Sequence, residues 1–241
     1  VARTGLPRYP WGTVSSIYAM MVVKVLLLWA ATWVYLRHPP PRLAGATLLA
    51  AALVLASAVE LTGIISAIRA HYNLHLFDFY GVAEFLLLAG FGLAQFRQVR
   101  VRRAGMAAAL ALAVGLSIWE WPAMVADDLS ASRSLLVNSL VLSGLFLVVL
   151  FRLAFFSLRP LHRVPLFWIA LGLVIFFGVE LPYRGLYNLL NATDLDLARK
   201  FTHINDITFT LRYGLVIMAC LVGVRYPPPP EPWTTSASPS S

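Results

Sequence analysis

The chain has 241 residues, of which 59% are hydrophobic and 12% charged, with a formal net charge of +8. Soluble domains carry about 25% charged residues. Here the apolar excess is gathered into blocks of about 20 residues, each long enough to cross a hydrocarbon core. A soluble enzyme and a disordered chain are excluded, and a single cysteine, Cys220, excludes an internal disulfide scaffold or a cysteine metal cluster.

Seven apolar blocks follow in order: Val14 to Leu36, Leu43 to Ala67, Phe77 to Phe96, Ala104 to Trp121, Leu135 to Phe156, Pro165 to Leu186 and Phe201 to Val224. Their apolar runs are continuous and do not alternate, which predicts helices and not barrel strands. The expectation is an all-α integral membrane protein, a bundle of seven transmembrane helices over residues 14–224. Residues 1–13 would precede it and residues 225–241 follow as a tail. The first block is too long for a signal-peptide core and has no small-residue cleavage site after it, so it is expected to be retained. The tail, Pro227-Pro-Pro-Pro-Glu-Pro-Trp and a Ser/Thr-rich end, cannot bury a core and is expected to be extended or disordered.

Direction follows from arginine and lysine near the span ends. Arg37, Arg42, Arg97, Arg100, Arg102, Arg103, Arg152, Arg159, Arg163 and Arg225 fall on one side. The other side carries Arg3, Arg8, Arg69, Arg133, Arg184, Arg199 and Lys200, offset by Asp78, Asp127, Asp128, Asp194 and Asp196. The run Arg97-Gln-Val-Arg-Val-Arg-Arg103 is a short connection without an acid, which reads as a loop that stops transfer and not as a nucleic-acid site. The N-terminus is therefore expected outside and the C-terminus in the cytoplasm.

Val59-Glu60-Leu61 in the second block and Val179-Glu180-Leu181 in the sixth hint at a repeat, with Tyr72-Asn73-Leu74 and Tyr187-Asn188-Leu189 following them. Blocks one to three and five to seven would then be two parallel units joined by an inverting fourth helix, a plan resembling that of the SWEET sugar carriers. The Pro-Gln motif of the related PQ-loop proteins is absent.

A charge inside a span costs about 2.5 to 3.5 kcal/mol and needs a partner or a watery cavity. Lys24, Glu60, Glu84, Glu120, Glu180, Asp206 and Arg212 lie within or at the edges of spans, joined by Tyr80, Asn138, His203 and Asn205. With alternating directions the five acids fall at one height in the outer half, above an almost wholly apolar cytoplasmic half. That asymmetry predicts a polar pocket open to the outside. Its candidate lining is Glu60, Tyr80, Glu84, Glu180, His203, Asn205 and Asp206, with Arg212 as internal counter-charge. Tyr80 and Glu84 are four apart, and His203 and Asp206 three apart, so each pair is expected to share a face. The same acids can equally serve as hydrogen-bonded contacts between helices, or as partners of Arg212, Lys24 and Arg184. Trp11, Trp119, Trp121 and Trp168 read as interfacial residues.

Tyr80-Gly-Val-Ala-Glu84-Phe-Leu-Leu-Leu and His203-Ile-Asn205 resemble segments of seven-helix integral membrane proteins of bacteria. The resemblance implies the helix count and a bacterial inner-membrane location, and it carries no activity across. Four functions fit the pattern. The first is a receptor or sensor that binds a small ligand or ion from outside and signals through a separate cytoplasmic partner. The second is a membrane zinc hydrolase with Glu60, Glu84, His203 and Asp206 around the metal, similar to the adiponectin-receptor and alkaline-ceramidase group. That group uses a His-x-x-x-His pair on its last helix, where this sequence offers His203 alone. The third is a three-plus-one-plus-three carrier, and the fourth a non-catalytic subunit of a membrane complex. A retinal photoreceptor is excluded, because the last span has no lysine midway along it. A receptor-like bundle is the expectation, with a lipid bilayer as its surroundings and no nucleic-acid partner.

Overall fold

In the computed structural model, residues 11–68, 74–125, 132–193 and 195–227 are described. Among them are seven α-helices and no strand: α1 Trp11–Arg37, α2 Ala46–Ile68, α3 Leu74–Ala94, α4 Val99–Val125, α5 Ser132–Phe156, α6 Pro165–Thr193 and α7 Leu195–Arg225. Five contain a stretch long and apolar enough to cross a membrane, in α2, α4, α5, α6 and α7, while α3 holds a shorter apolar run, Phe79–Ala94. Seven of the fourteen helix ends overrun their apolar blocks by three residues or more, because a helix continues past the point where its side chains turn polar, whereas α2 starts three residues later than its block and α3 ends two residues earlier. Pro182 lies inside α6 without ending it. The N-terminal ten residues, Tyr72-Asn73 of the suggested repeat, Asp127, Asp128 and most of the tail lie outside the described residues.

The main packing pairs are α1 with α2, α2 with α3, α3 with α5, α5 with α6, α6 with α7 and α7 with α1. These close a ring of six helices. The fourth helix stands outside it, against α3 and more lightly against α5. Where α6 meets α7, Gly172 permits close approach. A Cβ there would lie 3.3 Å from Leu215 Cβ and 3.4 Å from the Arg212 carbonyl oxygen.

At one end of the ring the short connections interlock. Gln95 Nε2 donates to the Ala44 carbonyl at 2.7 Å, Tyr35 donates its hydroxyl proton to the Ala46 carbonyl, and Pro40 packs on Gly223. Gly45 opens α2 at φ +70, a left-handed conformation that suits glycine, and its missing Cβ leaves room for Ala94. Arg163 lies over the Tyr226 ring and Arg152 over Phe96, so the arginine-bearing ends of α1, α3, α5 and α7 meet here. Inside this half the ring is filled by Leu28, Leu49, Leu88, Phe91, Phe146 and Val149, all buried.

Gly172→Leu is expected to wedge α6 from α7 and to lower stability by about 1–3 kcal/mol, the cost of overpacking. Gly115→Ala on α4, where nothing lies within 4 Å, is expected to change it by about 0.5 kcal/mol or less. Melting curves of the two purified variants check both.

Candidate functional site

The polar side chains gather in the ring interior above that apolar filling, in two tiers. In the first, the Lys24 ammonium of α1 stands 3.7 Å from Glu60 Oε1 of α2 and 3.7 Å from Asp206 Oδ1 of α7. It also lies 4.1 Å from the centre of the Phe209 ring, within cation–π range. All three charged side chains are about one-fifth exposed. One cation faces two carboxylates here.

The second tier is dry. Arg212 Nη2 of α7 donates to Glu84 Oε1 of α3 at 2.6 Å, with the arginine side chain 4% exposed. That is the short distance of a charge-assisted bond. Phe176 and Phe177 of α6 and Tyr213 of α7 sleeve the guanidinium, with ring centres 4.8, 5.5 and 5.2 Å from it. Tyr80 lies within electrostatic range of the same Glu84, one turn away on α3. The pair therefore ties helices on opposite sides of the ring.

Asp206 and Arg212 are six residues apart on α7, which separates the tiers by about 9 Å along the helix. Glu180 of α6 is buried and accepts a bond from Ser139 Oγ of α5 at 2.9 Å. Glu120 leaves the group altogether, because its Oε1 accepts the Ser134 backbone N–H at 2.6 Å. It satisfies one of the free amides in the first turn of α5.

His203 is exposed, whereas Asp206 is half-buried. Three residues leave two side chains about 60° apart, and the inward face of α7 runs through Asp206, Phe209, Tyr213 and Val216. His203 falls beyond the edge of that face. Asn205 sits half-buried beside Asp206, with an oxygen that has no hydrogen-bond partner. Among the described residues, no three histidine, cysteine, aspartate or glutamate side chains come together where one metal ion could be held.

One contributor goes unnoticed in a sequence reading. Tyr213 is fully buried with its hydroxyl unpartnered, inside electrostatic range of Glu60, Glu84, Glu180 and Arg212. It looks like core aromatic filling in the sequence. The available signal is its spacing of four from Phe209 and seven from Asp206, which sets all three on one face. Asn138 of α5 is buried, also with an unpartnered oxygen.

Removing one partner of a buried ion pair strands the other, at about 3–5 kcal/mol. Arg212→Met is expected to show that loss. The double variant Glu84→Met/Arg212→Met is expected to be more stable than the single, because no unpaired charge remains. Denaturation of the three proteins under one set of conditions decides it. No family model, curated protein or solved structure matches this chain.

Proposed function

We propose that the chain is a seven-span receptor or sensor of a bacterial inner membrane, with its N-terminus outside and its C-terminal tail in the cytoplasm. It binds a small ligand or ion in the polar interior between the two tiers and passes the change to a separate cytoplasmic partner. One observation carries this reading: a partly exposed tier holds Glu60 and Asp206 against Lys24, beside a more deeply buried pair and an apolar filling. Such an interior admits a solute from one side and offers it no onward route. The gathering of arginines at the filled end supports a cytoplasmic position for that end. The glutamates and the aspartate proposed for a zinc site engage lysine and arginine instead, and His203 lies outside them, so the geometry lends the hydrolase reading no support.

A carrier is the second reading, and one observation favours it. The ring of packing pairs is unchanged when α1, α2 and α3 are exchanged with α5, α6 and α7. That is the pattern of two parallel three-helix units with α4 as linker, and Glu60 and Glu180 occupy equivalent helices. Against it stands the apolar half, since alternating access needs polar groups on both sides of the central site.

Wild-type protein in lipid nanodiscs is expected to shift its melting temperature and tryptophan emission on addition of sodium, potassium or calcium. The shift is expected to shrink in Glu60→Gln and Asp206→Asn. A wild-type protein that ignores all of these removes the sensor reading. Orientation is checked by single cysteines in a Cys220→Ala background. One placed at Ser157 is expected to react with an impermeant maleimide only after the membrane is opened.

A further inference from the structure

Lys24, Glu60, Asp206 and Phe209 have the composition of an ammonium-binding cage, two carboxylates and one aromatic face around a single positive nitrogen. We propose that they form a site for a small organic ammonium ion, held in this structure by the protein's own Lys24 side chain. The inference rests on the sensor reading and names the ligand class of its site.

The distances describe a displaceable occupant. At 3.7 Å from each acid, the Lys24 nitrogen lies beyond ordinary N–H···O length, in contrast to the 2.6 Å of the Arg212 pair. The ring contact at 4.1 Å is the closest cation–π approach among the described residues. All three charged groups are about one-fifth exposed, which leaves them open to a competitor. One carboxylate remains uncompensated by Lys24, which favours a second cation over an anion. An independent observation points the same way: the Tyr213 hydroxyl is fully buried and unpartnered, within electrostatic range of Arg212, Glu84 and Glu60. Its ring packs on Phe209 at 4.7 Å. A phenolic oxygen left in that position is an acceptor for the N–H of a ligand that enters deeper than Lys24 reaches.

The consequence is a mechanism for signalling. Lys24 links α1 to both α2 and α7, and an ammonium that takes its place dissolves that link. A tethered group competes at an effective concentration in the millimolar range or above. The external ion therefore binds the wild-type protein less tightly than it binds a protein without Lys24.

Lys24→Ala deletes the equivalent of propylammonium, so the test is chemical rescue in nanodiscs. n-Propylammonium is expected to raise the melting temperature of Lys24→Ala saturably, at a concentration tenfold or more below that needed with wild type. n-Propanol, neutral and of similar size, is expected to have no effect, and Lys24→Ala/Asp206→Asn is expected not to respond. Equal rescue by propanol, or no rescue by either, overturns the proposal. If Lys24→Ala does not fold, acylation of Lys24 followed by mass spectrometry in intact protein takes its place. Trimethylammonium is expected to speed that acylation in wild type, and Asp206→Asn to speed it without the ion, each several-fold. Unchanged rates overturn the proposal. The sensor reading stands or falls separately, on the wild-type response to inorganic cations.

Discussion

An arginine buried among aromatic rings in a lipid-facing bundle needs an anion at contact distance, and Arg212 has Glu84 at 2.6 Å. Much of the interior depends on that requirement. Arg212 belongs to α7 and Glu84 to α3, which sit across the ring from one another, so their bond sets how far apart those helices stand. Phe176 and Phe177 then fill the space beside the guanidinium, and Gly172 lets α6 come close enough to place them. The glycine, the rings and the ion pair are one device, because each would be unfavourable without the others. A buried ion pair is weak evidence for stability in itself, since replacing both partners by apolar groups is often neutral or better.

The Lys24 tier obeys the same electrostatics under different solvation. All three groups are partly exposed, and the ammonium rests between two acids and a ring without a tight bond to any. The contrast divides the interior into a tightly paired tier and a loosely paired one. On the proposed reading, binding at the Lys24 tier would move α1 against helices that the Arg212–Glu84 bond holds together.

The architecture is largely legible in the sequence, and the pairing is not. All seven apolar blocks emerge as helices, since continuous hydrophobic runs admit little else in lipid. Block positions locate the charged residues but not their partners, because a lysine or arginine stem reaches 6 Å or so and can satisfy acids a turn or more away. Glu120 shows the limit well: by composition it belongs with the other acids, yet a free amide at the start of α5 lies nearer. His203 shows another, where a three-residue spacing straddles the edge of the inward face. Tyr213 escapes notice because a tyrosine in an apolar run is indistinguishable from core packing until its hydroxyl is seen to lack a partner.

The ring itself bears on how a signal would cross the membrane. Helices α1 and α7 are neighbours, and their far ends meet the connections around Pro40 and Gly223. A shift of α1 relative to α7 at Lys24 would reach those connections directly, about 20 Å away along α1 at 1.5 Å per residue. No polar group need line the intervening half for that, because a packed helix transmits displacement through its own rigidity. A carrier, by contrast, would have to open the same half to solute, separating Phe91 from Phe146 and exposing the buried leucines around them. The apolar filling that obstructs transport is the medium that sensing requires.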